Sequence, residues 1–201
     1  MRIIGGIHRS RQILAPRTSV TRPITDRVKQ SLFDRLWSLG VLGPDTPGRR
    51  VLDLFCGTGS LGLEALSRGA EHCTFVEKDR SAVDLLVQNL AALKLGEQAT
   101  VLAVDVLRAV SSWPDVLAKG DEPADPSVGL IFCDPPYLMT RQEDQRQRIE
   151  ALIGELANVT ESGGVLMLRS EGGVEPGGAA GWQGPQTHGY GSMVLHFYQR
   201  D

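Results

Sequence analysis

The chain has 201 residues, of which 41% are hydrophobic, and a formal net charge of −3. This length suffices for one well-buried domain with a small appendage, and the charge argues against a uniformly basic nucleic-acid binder. No apolar run reaches the roughly 18 residues of a membrane span and the N-terminus lacks a signal-peptide segment, so we expect a cytoplasmic protein.

The charge is distributed unevenly along the chain. Residues 1–35 hold eight basic and two acidic residues, a net charge of +6, which leaves −9 for the remainder. Such an asymmetry is typical of a local phosphate-binding patch, although a solvated polar terminus has the same composition. The candidate phosphate-contacting residues are Arg2, Arg9, Arg11, Arg17 and Arg22.

Cysteine and histidine give no metal or disulfide pattern. Cys56, Cys73 and Cys133 are odd in number, show no CxxC spacing and lie in or beside apolar strands. We therefore expect buried free thiols. The four histidines are scattered along the chain, and we predict no metal site.

We predict that residues 1–42 form a basic N-terminal extension and that residues 43–201 form the larger domain. Residues 2–14 alternate loosely between apolar and basic side chains, which favours a short strand or hairpin. A helix follows, with Thr25 or Asp26 as N-cap and an apolar stripe that includes Trp37. Arg27 and Lys29 fall near its first turn, where acids are preferred, and so indicate an anionic partner.

Beyond a linker at 43–48, strand and helix patterns alternate at short intervals. Strands are predicted at 49–55, 72–76, 100–104, 128–133, 165–168 and 192–199, and residues before Gly189 could pair with the last of them as a hairpin. A helix that follows the turn at 56–62 is predicted to end at about residue 68, and further helices are predicted over 79–94, 107–117 and 141–159. Residues 171–184 are rich in glycine and predict a mobile loop. This alternation predicts a doubly wound, mostly parallel α/β sheet with helices on both faces.

A glycine motif follows the first strand of this sheet. Gly57, Gly59 and Gly62 satisfy the dinucleotide fingerprint, and Glu77 stands twenty residues after Gly57, where a ribose-binding acid is expected. Nucleotide cofactors with and without phosphate share this geometry. Asp53 before the loop and an acid at the third strand tip would repel pyrophosphate, so the pattern favours S-adenosylmethionine, which carries a sulfonium and an ammonium, over NAD.

The strand Val128–Cys133 ends in Asp134, Pro135, Pro136 and Tyr137. Sites form at strand tips of open α/β sheets, and this corner offers a carboxylate acceptor, a stiff turn with free carbonyls and a flat ring. These groups suit a planar heterocycle that bears an amino group. Asp-Pro-Pro is also ordinary turn chemistry, so the motif alone leaves a surface turn open.

Three motifs carry a family resemblance. DLFCGTG at 53–59, FVEKD at 75–79 and DPPY at 134–137 resemble class I adenosylmethionine-dependent methyltransferases that act on exocyclic amino groups. Together with MRIIGG, TRPITDRVKQSLF, LGLEALSRGA and the late Tyr190-Gly191, they resemble over essentially the whole chain the RsmD family of bacterial 16S rRNA guanine-N2 methyltransferases. His8, Ile24 and Ser192 depart from the residues common in that family.

The resemblance implies a seven-stranded Rossmann-like methyltransferase, and nothing in the sequence demands more than a monomer. Its substrate would be guanine N2 at the position usually numbered 966, in 16S rRNA or an assembling small subunit, and the basic arginines would contact RNA. The catalytic corner would be Asp134, Pro135, Pro136 and Tyr137. The cofactor set would be Asp53, Phe55, Gly57, Gly59, Glu77, Lys78, Asp105 and Val106, with Thr25 and Arg27 closing over the methionine end.

Three other functions remain open from the residues themselves. The same catalytic motif serves adenine-N6 methylation of DNA or RNA. A nicotinamide oxidoreductase would use the glycine loop and ignore the DPPY corner, and a non-catalytic RNA-binding subunit would need no cofactor.

Overall fold

The computed structural model describes residues 1–16, 24–43, 46, 48–108 and 127–201. Its strands are β1 (Arg50–Leu54), β2 (His72–Val76), β3 (Ala99–Leu102), β4 (Val128–Cys133), β5 (Thr160–Glu171), β6 (Trp182–Tyr190) and β7 (Met193–Arg200). They form one sheet in the order β3-β2-β1-β4-β5-β7-β6. Strands β1 to β5 pair in parallel, and β7 runs antiparallel to β5 and β6. The predicted doubly wound, mostly parallel sheet is confirmed.

Helices cover both faces of the sheet. They are α1 (Asp26–Ser38), α2 (Ser60–Ser67), α3 (Arg80–Leu93), α4 (Tyr137–Arg141) and α5 (Glu143–Leu156). The apolar sides of α1, α2 and α3 share one buried cluster with one face of the sheet, and α5 packs in a second cluster on the other face. The core thus forms two layers, as expected for alternating strands and helices.

Several predicted boundaries differ from the structure. The helix expected at about 141–159 is α5 at Glu143–Leu156, followed by a 3-10 turn at Ala157–Val159. The short helix α4 before it was not predicted, and the extended backbone of Gln142 (ψ 125°) separates the two helices. Part of the predicted glycine-rich loop belongs to β6, which starts at Trp182 and forms the expected hairpin with β7. Of the helix predicted at 107–117, the structure describes only the end of a 3-10 turn at Val106–Arg108. The remainder lies outside the described residues.

Helix α1 has the predicted N-cap but presents a narrower apolar face than expected. The Thr25 hydroxyl accepts a hydrogen bond from the Val28 backbone N–H at 3.4 Å. Leu32 and Phe33 are buried as predicted, whereas Trp37 is 56% exposed, so its placement in the apolar stripe was wrong. Trp37 is therefore not part of the buried core cluster.

Lys29 is also placed differently from the prediction. Its side chain is fully buried, and its Nζ donates to the Arg2 carbonyl at 2.8 Å and to Ser60 Oγ at 3.2 Å. It lies 3.4 Å from Glu64 Oε2, and the other oxygen of Glu64 accepts from Arg68 Nε at 2.8 Å. Burial lowers the pKa of Lys29, and Glu64 opposes that shift. This buried network gives Lys29 an internal partner, so it does not indicate an external anion.

The N-terminal segment 1–16 packs into the same core as the sheet. An antiparallel bridge between Arg2 and Gln12, with hydrogen bonds of 3.0 Å from the Ile3 N–H to the Arg11 carbonyl and from the Ile13 N–H to the Met1 carbonyl, forms a short hairpin, as predicted. Ile3 and Ile13 are buried in the same cluster as the helices. Ser67 at the end of α2 holds the segment through backbone groups: it receives N–H donors at 2.8 and 2.9 Å and donates to a carbonyl at 2.6 Å. The segment is therefore anchored mainly by its main chain.

The three cysteines are free and buried, as predicted. Within the described ranges, no helix has the length and apolar character needed to cross a membrane. In the same ranges, histidine, cysteine and acidic side chains form no group of three or more that could hold a metal ion.

Candidate active site

A cavity of about 220 Å³ opens at the carboxyl ends of β1, β2 and β4. It lies where the strand order reverses between β1 and β4, the topological switch point at which open α/β sheets bind ligands. Its walls come from the glycine loop after β1, the acidic tips of the neighbouring strands and the corner after β4. The two predicted motifs therefore face one space.

The glycine loop uses its glycines for two purposes. Gly57 (φ +54°) and Gly59 (φ +84°) have left-handed backbone, which favours glycine. A Cβ on Gly59 would lie 2.5 Å from Leu86 Cδ1, so this glycine permits close packing. A Cβ on Gly57 would meet no described atom within 4 Å, and Gly57 lines the cavity. Gly57 thus keeps space free for a ligand.

The backbone N–H groups of this loop are hydrogen-bonded within the protein. The Gly57 N–H donates to Glu77 Oε2 at 3.0 Å, and the Gly62 N–H donates to Asp53 Oδ2 at 2.8 Å. The Gly59 N–H donates to the Cys56 carbonyl at 2.8 Å. In a dinucleotide site such donors face pyrophosphate, whereas here two of them bind carboxylates.

Asp53 is a buried carboxyl group with one unused oxygen. Asp53 is 1% exposed, and its Oδ1 has no hydrogen-bond partner in the described part of the chain. Burial raises the pKa of Asp53 to about 8; the Gly62 hydrogen bond opposes this rise, and Asp134 and Glu77 add to it. A cation in the cavity would stabilise the ionised form.

Glu77 and Asp105 are fixed at the tips of adjacent strands. Glu77 Oε1 accepts from the backbone N–H groups of Lys78 and Asp79, at 2.8 and 2.9 Å. Asp105 accepts from the Leu107 N–H at 3.0 Å, and its other oxygen lies 3.4 Å from Lys78 Nζ. Val106 and Phe55 add apolar surface to the cavity wall. This edge can accept hydrogen bonds from hydroxyl or amino groups and cover a flat ring.

The corner after β4 brings Asp134 into the cavity. The Asp134 N–H donates to the Leu54 carbonyl at 3.2 Å, which fixes the turn to β1, and Asp134 and Pro136 line the cavity. The carboxylate forms an ion pair with Arg169 of β5, which also lines the cavity. Burial raises the pKa of Asp134, and the Arg169 guanidinium opposes that rise.

Arg169 was missed by the sequence analysis. The signal that could have identified it is a lone charged residue within the apolar run VLMLRS, near the carboxyl end of a predicted strand. Its Cζ lies 5.4 Å from the centroid of the Tyr137 ring. Pro135 is buried, and neither Pro135 nor Tyr137 belongs to the described cavity lining.

Comparison with known proteins identifies the family. The family model described as Conserved hypothetical protein 95, which is the RsmD family, matches residues 1–199. The chain belongs to the RsmD family. The predicted family resemblance is thereby confirmed.

The matches to relatives cover most of this RsmD-family chain and most of each relative. It is 33% identical to "Ribosomal RNA small subunit methyltransferase D" of Escherichia coli over 208 residues, covering 100% of this chain and 90% of that protein. It is 38% identical to "Putative rRNA methyltransferase YlbH" of Bacillus subtilis over 166 residues, 83% of this chain and 80% of that protein. The solved structure titled "Putative methyltransferase yhhF" from Escherichia coli superposes with a TM-score of 0.76 at 29% identity, covering 100% and 98% of the two chains.

Of the remaining predicted residues of this RsmD-family chain, those that the structure describes do not line the cavity. Thr25 caps α1, and Arg27 is exposed in a separate surface depression together with Arg2 and Arg9. From that part of the chain, Met1, Ala15, Pro16 and Ile24 line the cavity instead. Arg11 donates to the Ala92 carbonyl at 3.0 Å. Arg17 and Arg22 fall outside the described residues.

Proposed function

We propose that this chain transfers the methyl group of S-adenosylmethionine to the exocyclic N2 of a guanine in 16S rRNA. The observation that carries the proposal is that Asp134 of the DPPY corner lines the same cavity as Gly57, Asp53 and Glu77. Relatives named for methylation of small-subunit ribosomal RNA support the substrate class. Guanine 966 is proposed from the family resemblance.

The charges of the cavity support S-adenosylmethionine rather than a dinucleotide. Carboxylates line it from the ends of four strands, β1 to β4, and the cationic side chains among its described lining residues, Lys78 and Arg169, each face an acid. Phosphate would be repelled there, and loop N–H groups that could bind it are already used. The unused Oδ1 of Asp53 fits an ammonium group.

The site residues divide between the parts of this cofactor. Asp53 would hold the ammonium group, Glu77 the ribose hydroxyls, and Asp105 with Val106 the adenine. When bound, S-adenosylmethionine supplies an electrophilic methyl group on its sulfonium. The protein's own contribution is to orient the acceptor nitrogen and to exclude water around it.

Asp134 has the chemistry needed to orient an amino group. The N2 lone pair of guanine is delocalised into the ring, so the amine is a poor nucleophile until its hydrogens are held in place. The Asp134 carboxylate and the Pro135 carbonyl can accept these N–H groups. The amine becomes acidic only as the methyl group is transferred, so Asp134 or water takes the proton afterwards.

Exposed arginines grouped on the surface support an RNA partner. Arg2, Arg9 and Arg27 line one surface depression, where Arg2 Nε also pairs with Asp26 Oδ2 at 2.7 Å. Cations grouped this way suit phosphate oxygens. Each of Arg9→Ala and Arg27→Ala should lower the slope of log affinity against log salt by about 1. Arg148→Ala, exposed on α5 across the sheet, is the matched control and should keep the slope.

The direct test is methyl transfer to naked 16S rRNA and to small-subunit particles, with the product nucleoside identified by mass spectrometry. N2-methylguanosine formed from S-adenosylmethionine is the expected product. N6-methyladenosine would replace the proposal with the adenine alternative. Calorimetric binding of NAD without binding of S-adenosylmethionine would overturn the proposed cofactor.

A further inference from the structure

Arg169 is a buried cation placed beside the predicted catalytic acid by strand register. Strands β4 and β5 pair Cys133 with Leu168, so the next two residues, Asp134 and Arg169, are neighbours at the carboxyl ends of adjacent parallel strands. On its other side, Arg169 pairs with Leu195 of β7. The main chain on both sides therefore fixes the backbone position from which the Arg169 side chain reaches Asp134.

Burial makes this pair more than a surface ion pair. The Arg169 side chain is 4% exposed, and that of Asp134 is 18% exposed. Exposed ion pairs contribute little, whereas removing one member of a buried pair leaves an uncompensated charge. The accessible part of the Asp134 carboxylate remains on the cavity side, since Asp134 lines the cavity.

The charged and titratable groups around Asp134 have opposite effects on the ionisation of its carboxyl group. Asp53 on β1 and Glu77, which follows β2, are further carboxyl groups of the same cavity, and in their ionised forms they disfavour another negative charge. Cys133 precedes Asp134 in β4, and the Tyr137 ring follows it in α4. Of the described groups that line this part of the cavity, Arg169 is the cation that faces Asp134.

We propose that Arg169 is a positioning residue that holds Asp134 as an ionised, fixed acceptor for the amino group of the incoming base. This inference rests on the proposed function and deepens it. An ionised carboxylate offers only acceptors to the two amine N–H groups, whereas a protonated acid presents one O–H donor. The ionised form can also take the proton released after methyl transfer.

The test compares Arg169→Met with Arg169→Lys in the full chain, across the pH range of activity. We expect Arg169→Met to lose at least about tenfold in kcat near neutral pH and to recover most of it about two pH units higher, as Asp134 ionises again. Arg169→Lys keeps the charge and should restore the wild-type pH profile. Affinity for S-adenosylmethionine should change by less than about threefold, because the pair is proposed to contact the base.

Arg141→Met is the matched control. Arg141 of α4 pairs with Glu171 of β5, the strand that also contains Arg169. Arg141 is largely exposed and lies outside the cavity lining. Removing this pair deletes an arginine–carboxylate contact on β5 without touching Asp134. The pH profile of this variant should match that of the wild type.

A kcat of Arg169→Met that is lowered equally at every pH, or a lysine variant as impaired as the methionine variant, would overturn the inference. Titration of the Asp134 carboxyl by carbon-13 NMR provides a readout that needs neither RNA nor turnover. The carboxyl should be ionised at neutral pH in the wild type, and a protonated group would contradict the inference even if Arg169→Met failed to fold. Absence of methyl transfer by the wild type, with the expected NMR titration, would instead contradict the proposed function alone.

Discussion

Replacing Asp53 by asparagine is expected to remove the pH dependence of S-adenosylmethionine binding. In the free protein, burial raises the pKa of Asp53 to about 8, so the group is mostly protonated at neutral pH. An ammonium partner favours the ionised form, which couples binding to loss of a proton from Asp53. Affinity should therefore increase as the pH rises toward 8.

The size of the effect follows from the ionised fraction of Asp53. Below a pKa of about 8, that fraction falls about tenfold for each pH unit. The dissociation constant of the wild type should then rise by up to about 80-fold between about pH 7.5 and 5.5. Asparagine can still accept the Gly62 N–H through its amide oxygen, but it cannot ionise, so its affinity should stay nearly constant.

Isothermal titration calorimetry on the full chain measures both affinities, and runs in buffers of different ionisation enthalpy report the proton released. Stopping at about pH 7.5 keeps most of the ligand's amino group charged, since α-amino groups titrate near pH 7.7–8.0. Asp134→Asn replaces another buried carboxyl of the same cavity by an amide and should keep the wild-type slope. Equal slopes for Asp53→Asn and the wild type would refute the assignment of Asp53 to the ammonium group.

Three further predictions concern catalysis, stability and the glycine loop. Asp134→Ala should lower methyl transfer by at least about 100-fold while the affinity for S-adenosylmethionine changes by less than about threefold, and comparable losses of both would contradict the assigned role. Burial lowers the pKa of His196 to about 4, below the value of about 6.5 expected in the unfolded chain. The contribution of neutral His196 to the free energy of unfolding is therefore fully present above about pH 6.5 and is lost as the pH falls toward 4. Urea unfolding should show a loss of about 2 kcal/mol between about pH 7.5 and 5 that His196→Gln does not share. Gly62→Ala should destabilise the fold by about 1–3 kcal/mol in the same assay, because its Cβ would lie 2.3 Å from Phe75 Cε1. Gly57→Ala meets no described atom within 4 Å, so it should cost only about 1 kcal/mol through its left-handed backbone and act mainly on cofactor affinity.

The sheet and the meeting of its two motifs were predictable because both depend on local patterns. Short apolar runs punctuated by glycine and acid define the strands, and the carboxyl ends of parallel strands lie at one edge. That rule alone brings Asp53 and Glu77 to one side of the molecule and places Asp134 near them. The structure adds that all three line one cavity.

Features that depend on partners far apart in sequence were not predictable in the same way. Arg169 meets Asp134 because of the register between two strands, and Lys29 is neutralised by Glu64, 35 positions later along the chain. No local pattern encodes either pairing. Trp37 falls at the spacing of the apolar stripe, yet it points away from the sheet.

The N-terminal segment shows the same limitation. Its basic side chains suggested an extension separate from the larger domain. Ile3 and Ile13 are instead part of the main core, so deleting residues 1–20 would also expose apolar surface on the helices. Substitution of single exposed arginines is therefore the cleaner test of RNA contact.

The way this segment is anchored leaves its exposed side chains free to change. Lys29 binds the Arg2 carbonyl, Glu64 accepts the Ile4 N–H at 2.8 Å, and Asn89 exchanges hydrogen bonds of 2.7 and 3.1 Å with the main chain of Leu14. Each contact recognises peptide groups that nearly every amino acid carries. The exposed positions of segment 1–16 could thus be substituted, in evolution or by design, to suit a different RNA surface while its main chain keeps these hydrogen bonds.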